Sequence, residues 1–293
     1  MGGEVNAASG PARGRGGTTA MRAEGRAHAS GDESGRYRTR ALMRGLELLA
    51  CFGPASPELS LADCAERTGL DKATAYRLLH CLVEAGFLHR DAARGFYRVG
   101  PALLPIAGTF QNGNALAAIA EAHVRRMAAV TGQTATLAVR EGATTVNILV
   151  AHSDRPLRRL SYVGERLPLH ATSAGKVIAA HLRGDDLEAL MGGRTLVQLT
   201  PNTITTASAF FDELERVRLA GYALDDEEAI SGVRCLGAVV RDYAGQPVAA
   251  ISVAGAAGEF EGESFRRYVD TVRETALSIS TQLGFVPLAA VSE

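Results

Sequence analysis

Apolar residues recur at helical spacing in a short stretch between Asp71 and Gly86. At about 100° per residue, four of them fall on one narrow stripe. The residues on this stripe are Ala75, Leu78, Leu79 and Leu82. Asp71 is a favourable N-cap, and Gly86 stands where a glycine commonly ends a helix. The pattern therefore predicts one amphipathic helix over this stretch.

The face opposite the stripe is small, polar and cationic. It carries Ala73, Tyr76, Arg77 and His80, with Lys72 and Thr74 in the first turn. Small residues allow close approach to DNA, Thr and Tyr reach phosphates or base edges, and Arg can bond guanine with two N–H groups. An ordinary helix with a charged outer surface has the same pattern, so the neighbouring segments must decide between the two interpretations.

A shorter helix is predicted just upstream, within Leu59–Leu70. Ser60 is its expected N-cap, Asp63 its capping-box partner and Gly69 its end. Two short helices joined by a turn that contains glycine are typical of a helix-turn-helix motif. A further helix, Arg40–Phe52, precedes them and is stopped by the Gly-Pro pair that follows it.

Two short apolar runs, Phe87–Arg90 and Phe96–Val99, surround the turn-prone loop Asp91–Gly95 and predict a β-hairpin. A helix-turn-helix followed directly by a basic hairpin is typical of a winged helix. The residues predicted to contact DNA are Lys72, Thr74, Tyr76 and Arg77 on the helix, and Arg94 and Arg98 on the hairpin.

After the hairpin the pattern predicts a helical linker, residues 101–132, as one bent helix or two, and then an α+β domain, residues 133–287. The expected strands are Thr134–Arg140, Thr144–Ala151, Leu160–Val163, Tyr222–Asp225, Leu236–Asp242 and Pro247–Ala254. The expected helices are Ser173–Leu182, Asp185–Met191, Ala207–Ala220 and Glu261–Leu283.

Residues 1–35, rich in Gly, Ala, Ser and Arg, are expected to be a disordered tail. Residues 288–293 are expected to be a C-terminal tail, and residues 36–100 form the winged helix-turn-helix domain.

Charge and composition support a soluble two-domain protein of 293 residues. The first 100 residues contain 14 Lys and Arg against 11 Asp and Glu, and the remainder contains 17 against 21. This distribution suits a nucleic-acid module joined to a different domain. The four cysteines lack metal-ligand spacing, and neither a membrane-spanning run nor a signal peptide is evident. We therefore expect a cytoplasmic protein without a metal or cofactor.

The stretch Ser173–Lys176 opens a predicted helix, so its backbone N–H groups and the positive end of the helix dipole can hold a carboxylate. Thr172 and Ser173 add hydroxyl groups, and Ala174 and Gly175 leave room for a ligand. A capped helix start that packs against a strand is the alternative. The stretch is not a phosphate-binding P-loop, because His170 stands at the first glycine position and Val177 replaces the magnesium-binding Ser or Thr.

An enzyme is a weaker interpretation of the same region. The groups that a hydrolase or transferase uses are present as His170, Ser173, Lys176, Asp225 and Cys235. However, the chain has no Gly-x-Ser-x-Gly elbow and no His-x-x-x-His pair, and these groups accompany a winged helix. We predict no catalytic residues. An architectural DNA-binding protein without a ligand is the second alternative.

Several segments together resemble the isocitrate-lyase-regulator (IclR) type of bacterial transcription regulator, over about residues 40–284. They are Thr74-Ala-Tyr-Arg-Leu-Leu79, Glu84-Ala-Gly-Phe87, Tyr97-Arg-Val-Gly100, Pro168-Leu-His-Ala-Thr-Ser-Ala-Gly-Lys176, Thr200-Pro-Asn-Thr-Ile204, Gly221-Tyr-Ala, Asp225-Asp-Glu-Glu228, Gly232-Val-Arg-Cys235 and Leu283-Gly284. The resemblance implies a homodimer or homotetramer on double-stranded operator DNA, acting as a repressor. It also implies a GAF/profilin-like sensor domain that binds a small organic acid.

The resemblance further implies which residues face the effector. They are Leu167, Ser173, Ala174, Asp225, Cys235 and Ser252. Ala254 departs from the pattern, because many relatives have a second hydroxyl there, which leaves the identity of the ligand open. Charged residues near the pocket have alternative interpretations. Asp225–Glu228 could instead form a solvated acidic turn. The arginines Arg155, Arg158 and Arg159 could contact an anion, but a solvated loop is the expected alternative.

Overall fold

The structure of the protein is a computed structural model that describes residues 31–155, 159–191 and 195–287. The chain divides between Gly100 and Pro101 into two compact units. The predicted tail segments 1–30 and 288–293 lie outside the described residues.

The first unit is a winged helix-turn-helix. Its elements are α1 (Gly31–Ala50), β1 (Glu58–Leu59), α2 (Leu61–Thr68), α3 (Lys72–Glu84), β2 (Leu88–Arg90) and β3 (Tyr97–Val99). The three strands form an antiparallel sheet in the order β1-β3-β2. The core beneath them consists of the buried residues Leu48, Leu59, Cys64, Leu79, Leu88 and Tyr97.

The predicted helix caps are confirmed. Ser60 and Asp63 form a complete capping box at the start of α2. The Asp71 carboxylate accepts the Thr74 amide at 2.9 Å at the start of α3. At the end of α3, the Gly86 amide bonds to the Val83 carbonyl and the Phe87 amide to the Leu82 carbonyl. Gly86 has φ 75°, so this is a Schellman motif, whose left-handed residue favours glycine.

Two features of this unit differ from the prediction. Helix α1 begins at Gly31, before the expected start at Arg40, so the predicted tail boundary at Gly35 falls inside a helix. A helix that is already nucleated extends at little cost, which explains the longer element. Strand β1 was not predicted, because two residues carry no periodic pattern. It pairs Glu58 with Arg98 and Leu59 with Tyr97.

The second unit is an α+β domain, as predicted. Its helices are α4 (Leu103–Gly113), α5 (Ala115–Thr131), α6 (Ser173–Ala180), α7 (Gly184–Met191), α8 (Ala207–Ala220) and α9 (Gly262–Gln282). Its strands are β4 (Thr134–Glu141), β5 (Thr144–Ala151), β6 (Arg166–Pro168), β7 (Ala223–Asp226), β8 (Val233–Arg241) and β9 (Pro247–Ala256). They form one antiparallel sheet in the order β6-β5-β4-β9-β8-β7.

Helices cover both faces of this sheet, and each face has its own core. Helices α5 and α9 share one cluster of buried side chains with the strands, and α6 and α8 share the other. Ile251 and Ala250, neighbours on β9, lie in the first and second cluster respectively, as the alternation of side chains along a strand requires. The sheet is therefore buried on both sides.

Two segments of this unit differ from the prediction. Within the expected linker 101–132, α5 contributes Ala120, Val124 and Met127, all at most 1% exposed, to the domain core. Its apolar positions face the sheet, so it belongs to the domain. The expected strand Leu160–Val163 is irregular chain, because a turn at Gly164 (φ 88°) ends it. The short strand β6 pairs with β5 instead.

The end of the wing is fixed to the end of α3 by close backbone contact at Gly100. Its amide bonds to the Phe87 carbonyl at 2.7 Å, and a Cβ at this position would lie 2.2 Å from the Gly86 carbonyl oxygen. We expect Gly100→Ala to lower the free energy of unfolding of this unit by about 1–3 kcal/mol, because the backbone must shift to admit the methyl group. Urea denaturation measures this change.

Gly45→Ala is the matched control for that substitution. Gly45 lies in α1, and a Cβ there meets nothing within 4 Å, so alanine should be neutral or should stabilise the helix by up to about 1 kcal/mol. Equal stability of the Gly100→Ala variant and the wild type would contradict the contact.

Candidate functional site

The predicted DNA-binding residues of α3 lie opposite its buried face. Ala75 and Leu79 are fully buried, whereas Lys72, Tyr76 and Arg77 are exposed and Thr74 is half-buried. The Arg77 guanidinium donates a long hydrogen bond of 3.4 Å to the Thr74 hydroxyl. The helix thus presents a cation and a hydroxyl side by side, a pair that can bond phosphate oxygens or base edges.

The wing places Arg94 and Arg98 at the surface, but one of them already has an anionic partner. Arg94 Nη1 lies 2.9 Å from Glu58 Oε2, and its guanidinium carbon lies 5.1 Å from the centre of the Phe96 ring. Arg98 lies opposite Glu58 across the β1–β3 pair. A DNA phosphate at Arg94 would therefore compete with Glu58 for the guanidinium. The sequence did not indicate this pair, because strand β1 carries no pattern of its own.

A small polar cavity lies between the second sheet and the start of α6. Six predicted effector-binding residues line it: Leu167, Ser173, Ala174, Asp225, Cys235 and Ser252. The lining also contains Thr136, Thr145, Asn147, Arg159, Ser161, Glu165, Thr172, Ala229, Ile230, Val233 and Ala254. The cavity volume is about 40 Å³, which holds water but not an organic acid of several heavy atoms. Ligand entry therefore requires the wall to move.

Gly175, the seventh predicted effector residue, does not line the cavity. Its amide donates to the Thr172 hydroxyl at 3.0 Å, which caps α6. A Cβ at Gly175 would lie 2.0 Å from the Leu169 carbonyl oxygen. The glycine is therefore needed for close packing of the helix start against the preceding turn, and a ligand contact by Gly175 stays a prediction. Ser173 and Ala174 remain at the cavity.

Asp225 is a buried acid at one side of the cavity, not part of a solvated acidic turn. It is 1% exposed, and its Oδ1 accepts the amides of Glu228 at 2.8 Å and Ala229 at 3.2 Å. Burial raises the pKa of this carboxyl to about 6, despite these two hydrogen bonds. Cys235 lies opposite Asp225 on the next strand, and burial raises the pKa of its thiol well above the ordinary value.

The loop after Asp225 is clamped by the segment Thr200–Thr203. The Thr200 hydroxyl donates to the Glu227 carbonyl at 2.7 Å, and the Thr203 hydroxyl donates to the Glu228 carbonyl at 2.7 Å. Glu227 has the left-handed φ of 61°, a conformation that costs energy for a residue other than glycine and persists only where contacts enforce it. The clamp thus fixes the wall that carries Asp225.

Lys176, the charged residue in the first turns of α6, is buried and bonded to other protein groups. It is 1% exposed, and its ammonium group bonds to Glu213 Oε1 at 3.0 Å, to Glu228 Oε1 and to the Leu224 carbonyl. His170 is also buried, with Nε2 3.0 Å from the Val197 carbonyl oxygen. Neither side chain lines the cavity. Of the five groups weighed for catalysis, only Ser173, Asp225 and Cys235 line the cavity.

The residues on the other side of the cavity were not predicted from the sequence to face a ligand. Arg159, expected in a solvated loop, is only 16% exposed and pairs with the buried Glu165. Arg155 does lie outside the cavity lining, paired with Glu259 at 2.6 Å, and Arg158 lies outside the described residues. The pairing of Arg159 with Glu165 depends on the chain reversal near Gly164, which no periodic pattern indicated.

Within the described residues, no group of three or more His, Cys, Asp or Glu side chains is arranged to hold a metal ion. None of the helices in the same residues combines the length and apolarity needed to cross a lipid bilayer.

Comparison with known proteins identifies the class to which this fold and site belong. The family model for the IclR helix-turn-helix domain matches residues 41–92, and the model for the bacterial transcriptional regulator IclR C-terminal domain matches residues 111–281. The HTH-type transcriptional repressor AllR of Salmonella typhi is 31% identical over 251 residues, which cover 86% of this chain and 92% of that protein. AllR of Escherichia coli K12 is 30% identical, covering 84% and 90%.

Solved structures agree with these matches. The IclR protein of Thermotoga maritima has a TM-score of 0.67 at 29% identity, covering 85% of this chain and 99% of that one. An IclR homologue from Microbacterium hydrocarbonoxydans, solved in complex with 4-hydroxybenzoate, has a TM-score of 0.70 at 25% identity, covering 83% and 98%. The chain belongs to the IclR family. It is a DNA-binding transcriptional regulator with an effector-binding C-terminal domain, and not an enzyme.

The raised pKa of Asp225 predicts a specific pH dependence of stability. The folded state holds the Asp225 proton up to about pH 6, whereas the unfolded state releases it near pH 3.8. The folded state therefore binds more protons in this window, and stability falls as the pH rises through it. Asp225→Asn removes this loss. We expect the stability of the variant relative to wild type to rise by on the order of 2–3 kcal/mol between pH 4 and pH 7.

Urea denaturation at several pH values measures this difference. Asp212→Asn makes the same change of side chain at an exposed position of α8 and is the control. Parallel pH profiles for the Asp225→Asn variant and the wild type would contradict the assignment of a raised pKa to Asp225.

Proposed function

We propose that the protein is a transcriptional repressor that binds operator DNA as a homodimer or homotetramer and changes its DNA affinity when a small organic carboxylate occupies the cavity. The observation that carries the proposal is the presence of two sites in one chain. One is a recognition helix with exposed Lys72, Tyr76 and Arg77. The other is a small cavity, with hydroxyl and charged side chains in its lining, at the N-terminus of a helix.

At the DNA, α3 enters the major groove of a half-site. Thr74 and Tyr76 contact phosphates or base edges, and Arg77 bonds a base or a phosphate. Arg94 and Arg98 on the wing bind phosphates or enter the adjacent minor groove. This arrangement agrees with the exposed positions of these side chains and with the mildly basic first 100 residues.

Exposed apolar residues support self-association. On α1, Leu42, Met43 and Leu46 are each at least 50% exposed, and on α4 Leu104 and Ile106 are 72% and 57% exposed. Helices that leave such residues in water commonly bury them against a partner. A second copy of the chain would also supply the second recognition helix that a two-fold operator requires.

The chemistry of the cavity favours a carboxylate effector. The N-terminus of α6, with Ser173 and Ala174 at the lining, offers backbone N–H groups and the positive end of the helix dipole. Thr136 and Ser252 share a hydrogen bond of 2.8 Å between their hydroxyls and can turn toward a ligand. The homologue from Microbacterium hydrocarbonoxydans was crystallised with a carboxylate, 4-hydroxybenzoate. Binding that opens the cavity would couple to DNA affinity, typically by about 1–3 kcal/mol.

The experiment that tests the proposal measures DNA affinity by fluorescence anisotropy at fixed salt. Duplexes from the region upstream of the gene are compared with a shuffled duplex, each with and without a series of small carboxylates. We expect one region to bind at least tenfold more tightly than shuffled DNA and one carboxylate to change that affinity. Specific binding that no carboxylate changes would favour an effector-independent architectural protein. Equal binding to all duplexes would reject the proposal.

Removal of the guanidinium of Arg77 should weaken specific binding. If Arg77 bonds a base edge, Arg77→Ala should cost about 1–3 kcal/mol on the operator and much less on shuffled DNA. Arg125→Ala is the matched control, because it removes one exposed positive charge from α5 without touching the winged helix. An operator affinity that Arg77→Ala leaves unchanged would exclude a base contact by this residue.

Removal of the Glu58 carboxylate should strengthen DNA binding without changing specificity. Glu58→Gln frees Arg94 from its partner and removes a negative charge beside the phosphates, so operator and shuffled DNA should gain equally, by about 0.5–1 kcal/mol. The same substitution in an Arg94→Ala background should give a smaller gain. Unchanged or weaker binding by the Glu58→Gln variant would show that Arg94 does not reach DNA.

A further inference from the structure

The wall of the cavity contains a buried ion pair that the proposed ligand contacts do not use. Arg159 and Glu165 both line the cavity, with side chains 16% and 8% exposed, and Arg159 Nη2 donates to Glu165 Oε1. Among the described lining residues Arg159 is the only cation, whereas Glu165 and Asp225 are acids. An anionic ligand can therefore find a full positive countercharge only at Arg159.

The carboxylate of Glu165 is held independently of the arginine. Asn147 donates its side-chain amide to Glu165 Oε2 at 3.1 Å and its backbone amide to the Glu165 carbonyl at 3.0 Å. Asn147 is itself buried, at 8% exposure. Glu165 consequently keeps one hydrogen-bond partner when the guanidinium leaves, which offsets part of the cost of leaving its buried carboxylate without a countercharge.

The guanidinium can move while its backbone stays in place. The Arg159 carbonyl accepts the Thr134 hydroxyl at 2.8 Å, which fixes the backbone beside β4. Among contacts between described residues, the guanidinium makes two hydrogen bonds, to Glu165 and to the Leu160 carbonyl at 2.8 Å. A guanidinium has five N–H donors, and a planar carboxylate can take two of them side by side.

We propose that Glu165 acts as an internal substitute for the effector, and that a carboxylate ligand binds by taking over the guanidinium of Arg159 from Glu165. In this exchange the positive charge of Arg159 is neutralised in both states, so neither state leaves a buried cation unpaired. Competition from Glu165 sets the concentration of carboxylate at which the cavity responds. The inference rests on the proposed effector function of the cavity and names Arg159 as its specificity-determining residue.

The test uses acetate as the probe and the full-length chain. The Nε–Hε signal of Arg159 in a ¹⁵N-labelled sample is assigned by its loss in the Arg159→Gln variant, and acetate replaces chloride at constant ionic strength. We expect acetate to shift this signal saturably in the wild type. In Glu165→Gln, where the competing charge is gone, the apparent Kd for acetate should fall at least tenfold. Methylammonium, a cation of similar size, should leave the signal unchanged.

Three further variants make the result specific. Glu165→Asp keeps the charge but withdraws the carboxylate by one methylene, so its Kd should lie between those of the wild type and Glu165→Gln. This variant also serves if Glu165→Gln does not fold. Arg159→Gln should abolish the saturable change that acetate causes in the backbone amide signals of Ser173 and Ala174. Arg155→Gln removes an arginine that pairs with Glu259 outside the cavity lining and should behave as the wild type.

Two results would overturn the exchange: an equal Kd for acetate in the wild type and in the Glu165 variants, or no response of Arg159 in any of them. DNA-binding measurements separate this inference from the proposed function. If carboxylates change operator affinity equally in the wild type and Arg159→Gln, the proposed effector function is supported and the exchange of partners at Arg159 is rejected. If Arg159 exchanges partners as expected but no carboxylate changes operator affinity, the exchange at Arg159 is supported and the proposed effector function is rejected.

Discussion

The close approach of helix α6 to its surroundings is the constraint on which the effector domain depends. Gly175 allows the helix start to touch the backbone of Leu169, where a side chain would overlap the carbonyl. Gly237 on β8 has the same role on the sheet side, because a Cβ there would lie 3.0 Å from the Ser173 carbonyl carbon. These two glycines let the start of α6 pack closely against the turn at Leu169 and against strand β8, and the cavity lies beside this contact, at Ser173 and Ala174.

This constraint also explains why the cavity is polar although the sheet is buried on both faces. Where the helix axis points at the sheet, backbone N–H groups without partners in the helix need polar neighbours. The strands place Thr136, Ser252 and Asp225 at the cavity beside this helix start, at positions that an apolar core would fill with Val or Ile. Each costs stability relative to an apolar residue, and the raised pKa of Asp225 is the clearest sign of that cost.

Local features could be predicted from the sequence, and contacts between distant segments could not. Helix caps form between residues within about one helical turn of each other, so the spacing of Asp71, Ser60 and Gly86 was enough to predict them. Asp225 and Cys235 came from family resemblance, because nothing in their own neighbourhoods shows that they face each other across two strands. Glu58 and Arg94 are separated by 36 residues and meet only through a strand too short to recognise. Arg159 and Glu165 are close in sequence, but their burial depends on the fold around them.

The ion cluster at Lys176 has a mechanical consequence. Its ammonium group joins α6, the strand end at Leu224, the clamped loop at Glu228 and helix α8 at Glu213. Because Lys176, Glu213 and Glu228 are buried, pulling them apart would leave unpaired charge in a region of low polarity. The helix start and the Asp225 loop therefore behave as one stiff block that includes α8. A displacement of the helix start at Ser173 would therefore be passed through this ion cluster to α8.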